Sequence, residues 1–230
     1  MTRAAEDAER WATRLASLGA EPVVLPCLVC EPIVDAAKAL RLSLVDATWL
    51  VLSSRRGAES VAGLLDGALP PGVQVAVVGP TTARAAADEL GRVDLVAADS
   101  TAAGLGRALC ERLAETVPAR VVIAGAAGGR RDVEAALAAV AAVVTRVDVY
   151  RTVPAPPTAD KRDLATEGVD VVLLASPSAV VGLVNRAVLS GTAQIITIGP
   201  TTTAAAVAAG LTVAAEAHRP DLEGMLEALK

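Results

Sequence analysis

The sequence predicts an α/β protein made of two similar lobes, each a parallel sheet flanked by helices, joined by a two-stranded linker. Three observations carry this prediction. Short apolar runs alternate with segments of helical period along nearly all of the 230 residues, as expected of parallel strands covered on both faces. The phrase Gly79-Pro80-Thr81-Thr82-Ala83 returns as Gly199-Pro200-Thr201-Thr202-Thr203, and its surroundings return at the same spacing, Val75–Val78 matching Ile195–Ile198 and Gly104–Leu109 matching Gly224–Leu229. A second pair lies upstream, where Trp49-Leu50-Val51-Leu52 runs into Ser53-Ser54 and Val171-Val172-Leu173-Leu174 runs into Ala175-Ser176-Pro177-Ser178. Copies of this length are too long for solenoid units and imply two lobes.

The elements follow in order. Ala8, Trp11, Ala12, Leu15 and Leu18 share one face of a helix over 4–18, which Gly19 stops before an extended run Pro22–Leu25. A strand at Trp49–Leu52 precedes a helix at Gly57–Leu65, and a strand at Val73–Val78 precedes a helix at Pro80–Leu90. Then come a short strand Asp94–Ala97, a helix Ala102–Leu113, a strand Arg120–Ile123, a helix Asp132–Val140 and an extended stretch Val143–Val153. After Pro154-Ala155-Pro156-Pro157 the pattern resumes with strands over 170–174, 194–198 and 211–215 and helices over 178–188, 200–209 and 221–229. The second copy has only three strands and is too thin to bury a sheet alone, so the N-terminal helix and the run 22–25 are expected to complete it. This gives a discontinuous lobe of residues 1–27 with 155–230, an inserted lobe of 34–146, and linker strands 28–33 and 147–154 that could act as a hinge.

Composition narrows the partners. Phe is absent and Trp11, Trp49 and Tyr150 are the only aromatics, which removes base stacking, while a net charge of −5 argues against a phosphate footprint. No nucleic acid is expected. No apolar stretch is long enough to span a bilayer and no charged leader precedes one, so a cytoplasmic protein without membrane contact is expected. Cys27-Leu28-Val29-Cys30 has redox or half-zinc spacing but reads as extended chain; with one further Cys and one His, buried thiols are expected and no metal site.

Ligands of open α/β sheets bind beyond the C-terminal strand ends. There Gly79 and Gly199 can cap helices whose first residue is proline, leaving the amides and hydroxyls of Thr81, Thr82, Thr201 and Thr202 for a carboxylate or phosphate. Ser53, Ser54, Ser176 and Ser178 stand at equivalent turns, and Arg55 and Arg56 lie beside the first. Gly125-Ala126-Ala127-Gly128-Gly129-Arg130-Arg131 adds backbone amides and two guanidiniums with carboxylate geometry. Any one such turn is ordinary helix capping; five together point to an anionic ligand. There is no Walker lysine, no Gly-x-Ser-x-Gly elbow, no acidic metal cluster, and His218 is isolated, so neither triad nor nucleotide chemistry is indicated. Tyr150 sits on the predicted crossing Val147–Val153, as a wall residue or as an acid.

Together these motifs resemble the uroporphyrinogen-III synthase family: Leu25-Pro26, Ser53-Ser54, Val78-Gly79-Pro80-Thr81-Thr82, Val149-Tyr150-Arg151-Thr152-Val153, Ala175-Ser176-Pro177-Ser178-Ala179-Val180 and Ile198-Gly199-Pro200-Thr201-Thr202. The resemblance spans nearly the whole chain. It departs at Met1-Thr2-Arg3-Ala4, where the family has a strand leading to Thr-Arg-Pro, and at Ser54-Arg55-Arg56, where it commonly has Ser-Pro. It implies a cofactor-independent, cyclising hydro-lyase with two α/β lobes. Such enzymes take hydroxymethylbilane, lose its hydroxyl as water, invert ring D through a spiro intermediate and close uroporphyrinogen III, for haem, sirohaem and cobalamin. It further implies Tyr150 as the group assisting hydroxyl loss, and substrate contacts from Arg3, Ser53, Ser54, Gly79, Thr81, Thr82, Gly125, Arg130, Ser176, Ser178, Gly199, Thr201 and Thr202. A monomer, with substrate passed from hydroxymethylbilane synthase, is expected. The alternative is a non-catalytic two-lobed binding or sensor domain for an anionic metabolite.

Overall fold

The structure is a computed structural model that describes residue 2 and residues 5–66, 68–113, 119–140 and 142–229. Arg3 lies outside the described residues, as does residue 4 of the predicted first helix. The chain divides into two compact units, Glu31–Arg151 and the pair of segments Met1–Cys30 and Thr152–Lys230.

The first segment opens with α1 (Ala5–Ser17), which ends where Gly19 takes a left-handed φ of 82°. The predicted strand over 22–25 is not one. Pro22 and Pro26 have no amide to give a ladder, and the segment runs extended while Leu25 and Cys27 are buried. The first strand is instead β1 (Leu28–Pro32), followed by a helix the sequence reading left out, α2 (Ala36–Leu44), whose Ala36, Leu40 and Leu44 repeat at helical spacing and are buried.

The next elements alternate as expected: β2 (Trp49–Leu52), α3 (Arg55–Leu65), β3 (Gln74–Val77), α4 (Pro80–Leu90), β4 (Leu95–Val96), α5 (Ala102–Leu113), β5 (Ala119–Ala126), α6 (Asp132–Leu137) and β6 (Ala142–Pro154). Helix α3 starts two residues before Gly57, because Ser54 is its cap, and α6 stops at Leu137, short of the predicted Val140. The sheet order is β1-β6-β5-β2-β3-β4, and the ladders joining β6, β5, β2, β3 and β4 are all parallel. Alternate residues of a strand face opposite ways, so Trp49, Val51, Ala76, Val121 and Ile123 share a core with Leu105, Leu109, Val133 and Leu137 of α5 and α6. Helices α2 and α3 contact β5 on the same sheet. Strand β6 leaves β5 at Tyr150, after a register shift at Gly125/Ala126, and Ile33 N–H donates to Val149 O at 2.9 Å on its other side.

The chain continues through β7 (Arg162–Asp163), β8 (Val171–Leu174), α7 (Pro177–Arg186), β9 (Ala187–Val188), β10 (Gln194–Thr197), α8 (Pro200–Ala208), β11 (Val213–Glu216) and α9 (Leu222–Glu227). The predicted helix over 178–188 gives up its last two residues to β9, which pairs β7 in parallel, and the one over 221–229 ends at Glu227. The parallel sheet is β11-β10-β8. One face packs Val172, Leu174 and Ile195 on α7, α8, Leu25 and Cys27; the other packs Leu173 and Ile196 on Trp11, Leu15, Leu222 and Met225 of α1 and α9. A Cβ at Gly182 would stand 1.8 Å from Cys27 O, so α7 can approach the backbone at Cys27 this closely only because residue 182 is glycine. Burial pushes the Cys27 thiol up to about 12, in keeping with a core residue, and all three cysteines are free. Among the described residues there is no group of three potential metal ligands and no helix long and apolar enough to cross a membrane.

Candidate active site

In the 31–151 unit, the strands β5, β2 and β3 lie side by side and parallel, so their C-terminal turns share one edge of the sheet. Ser53-Ser54 follows β2, Gly79-Pro80 follows β3, and 127–131 follows β5. Ser54 has the extended backbone of an N-cap (φ −153°, ψ 153°), and its Oγ accepts from Gly57 N at 3.1 Å. The same Oγ lies 3.0 Å from Tyr150 Oη. With one lone pair of the hydroxyl already engaged, its O–H is free to donate to the phenol oxygen, which leaves the phenolic proton for another acceptor. Tyr150 is 8 % exposed, and its carbonyl accepts from Ala127 N at 2.8 Å.

Gly79 caps α4 with Pro80 at the first helical position. A Cβ there would come 3.0 Å from Ser100 Oγ, so the glycine makes room for a serine that itself adopts a positive φ of 53°. That hydroxyl beside the start of α4 belongs to no motif and was missed in sequence. Thr81 is exposed, whereas Thr82 is only 4 % exposed and turns inward.

The turn after β5 is more constrained than its small residues suggest. Gly129 N donates to Ala126 O at 3.0 Å, and Gly128 is left-handed with φ 70°. Gly125 is buried at the end of β5. Arg130 is exposed but its Nε is 2.8 Å from Asp132 Oδ2, so its charge is shared within the turn. Arg131 is exposed, and Arg55 reaches Glu59 at 3.6 Å.

The other unit repeats the arrangement on neighbouring strands β8 and β10. Ser176 caps α7, its Oγ accepting from Ala179 N at 3.1 Å, with Pro177 in the first turn; Ser178 is half-buried. Gly199 starts α8, and a Cβ there would meet nothing within 4 Å. The expected pair of outward Thr amides is corrected in part here: Thr202 N donates to Gly199 O at 3.0 Å and its side chain is 1 % exposed, leaving Thr201 on the surface. Thr203 Oγ1 bonds Thr197 Oγ1 at 2.6 Å and also Glu216 Oε2.

A family model described as uroporphyrinogen-III synthase HemD matches residues 9–227. The chain belongs to the uroporphyrinogen-III synthase family. The family is one of tetrapyrrole-synthesis enzymes, and the fold agrees with it. The uroporphyrinogen-III synthetase structure from Helicobacter pylori is 15% identical, with a TM-score of 0.50 over 88% of this chain and 89% of that one. A mutant uroporphyrinogen III synthase from Thermus thermophilus is 19% identical, with a TM-score of 0.44 over 97% and 94%. A search of curated proteins by sequence gives no match.

Proposed function

We propose that this protein is a uroporphyrinogen-III synthase, a cyclising hydro-lyase that converts hydroxymethylbilane to uroporphyrinogen III and water. The observation that carries the reading is the family match over residues 9–227. Tyr150 is the group we assign to the first step. Its O–H donates to the hydroxymethyl oxygen as the C–O bond breaks, the pyrrole nitrogen lone pair fills the vacated carbon, and water leaves behind an azafulvenium cation. Ser54 holds the phenol for this through the 3.0 Å bond. Attack by the substituted carbon of ring D gives the spiro intermediate, whose rearrangement inverts the ring. The proton lost on closure restores the phenol.

The substrate carries eight carboxylates, which suits amide-rich helix starts and guanidiniums on a protein of net charge −5. We assign carboxylate contacts to Ser53, Thr81, Gly125–Arg131, Ser176, Ser178, Gly199 and Thr201. Selection of the type III isomer is then a matter of holding the bilane folded until ring D has turned. We further propose that the protein acts as a cytoplasmic monomer supplied by hydroxymethylbilane synthase. Incubation of the purified protein with hydroxymethylbilane, followed by oxidation and isomer chromatography, is the test. The uncatalysed reaction gives type I, so type III product is expected and type I alone overturns the proposal.

A further inference from the structure

The 125–131 turn is held by a residue that no motif includes. Arg146, on β6, has its Nη2 donating to Ala126 O at 2.9 Å, its Nη1 to Glu134 Oε1 at 2.7 Å and its Nε to Asp148 Oδ1 at 3.0 Å. Its side chain is only 16% exposed. Two carboxylates from α6 and β6 thus aim one guanidinium at the carbonyl that begins the turn. A planar, multiply bonded guanidinium is a more rigid tie than an ammonium. The turn has been shaped around it: a Cβ at Gly129 would come 2.9 Å from Arg146 Nη2 and 3.0 Å from Ala126 O. The next amide, Ala127 N, donates to the carbonyl of Tyr150. The tie therefore lies one residue from the backbone that carries the phenol.

We propose that Arg146 is a positioning residue, which fixes the 125–131 turn and through it the carboxylate-binding amides of the reaction assigned above. The clamp does not touch substrate; it sets the turn before substrate arrives, so its loss weakens binding more than turnover. The inference rests on the synthase reading for its kinetic consequence, but the clamp itself is a property of the unliganded protein.

Glu134 complicates the obvious variant. Its Oε2 is buried without a hydrogen-bond partner, so removing Arg146 alone strands a carboxylate. The informative protein is therefore Arg146→Met with Glu134→Gln, which removes both charges, compared with Arg146→Lys, Gly129→Ala and wild type. Amide hydrogen exchange by mass spectrometry reads the turn directly. In the double variant, exchange over 126–131 should quicken at least tenfold while 49–52 and 74–77 keep their protection. Steady-state kinetics should show KM for hydroxymethylbilane raised about tenfold, kcat within about threefold, and Arg146→Lys in between. Gly129→Ala should shift exchange and KM in the same direction. Unchanged exchange over 126–131 in the double variant and in Gly129→Ala overturns the clamp. Faster exchange with an unchanged KM overturns the positioning role. Should wild type yield no type III product, the synthase reading fails separately, and exchange still decides the clamp.

Discussion

The helix starts Gly79-Pro80 and Gly199-Pro200 are almost the same sequence in two settings. Beside the first stands Ser100, packed so closely that a Cβ on Gly79 would press on it; beside the second a Cβ would meet nothing. Farther along, Thr203 bonds Thr197 and Glu216, where the first copy has Ala83, Val77 and Val96 in the matching positions. The preceding turns differ too. Ser54 carries a helix and the phenol of Tyr150, whereas Ser176 carries a helix, and the sequence contains no second tyrosine. The repeat conserves what backbone capping requires and lets the side chains around it diverge, so only the first turn bonds the proposed acid.

The largest expected effect tests that division of labour. Tyr150→Phe should lower kcat by roughly 10²-fold to 10⁴-fold, the range for general acid catalysis, with the residual product still type III. Thermal stability should hardly move, since Phe keeps the ring's packing. A wild-type rate at saturating substrate would make the phenol a wall and leave the two turns equivalent.

Packing separates the copies next. Gly182→Ala places a methyl on Cys27 O and should lower unfolding free energy by about 3 kcal/mol or more, by the cost of overpacking a core. Gly63→Ala, within α3 and with nothing within 4 Å, should raise it by about 0.5–1 kcal/mol, the helix penalty of glycine. Urea melts of both proteins give the two signs.

Ser54→Ala and Ser176→Ala each remove one N-cap bond and should each cost about 1 kcal/mol of stability. Only Ser54→Ala should also lower kcat, because it leaves Tyr150 Oη without its partner, whereas Ser176→Ala, which loses a proposed carboxylate contact, should act on KM. Equal losses of kcat from equal stability losses would erase the distinction between the turns.

The smallest effect is electrostatic. Asp94 is held below its ordinary 3.8 first by the hydrogen bond from Arg92, with Val75 N–H adding to it. A depressed carboxyl contributes stability above its unfolded pKa and loses it as pH falls through the lower folded value. Asp94→Asn should therefore narrow the gap between melts at pH 7 and pH 3, chiefly by lowering the pH 7 value. The second copy has Ala214 at the matching position, and Ala214→Val should leave the acid dependence as it is.

How far the sequence could be read depended on how local the cause was. Helices Pro80–Leu90 and Ala102–Leu113 and strand Trp49–Leu52 were legible to the residue, because proline, glycine and apolar period mark them from within. The run Pro22–Leu25 looked like a strand by composition; whether it gains a ladder depends on neighbours, and the prolines deny it one. Helix α2 is not assigned from the sequence although Ala36, Leu40 and Leu44 carry its period and Asp35 is a residue type favoured at helix starts. In the site, the caps at Ser54 and Ser176 followed from adjacent residues. The Ser54–Tyr150 bond joins positions 96 apart, and nothing local signals it. Arg146 lies within the extended stretch Val143–Val153, and no motif singles it out. The visible hint was Asp148 two places on, which shares its face, with Glu134 one helix earlier.

Helix α1 has a consequence for how the protein is made. Trp11 and Leu15 share a core with Leu173, Ile196, Leu222 and Met225, so α1 packs against residues synthesised long after it. At about 5–20 residues per second, Trp11 waits roughly 10–40 s for Met225. The intervening unit, 31–151, is complete well before then and can fold as the chain emerges. Until then α1 carries an apolar face, Ala8, Trp11 and Leu15, without the surface it packs on, a natural client for a chaperone.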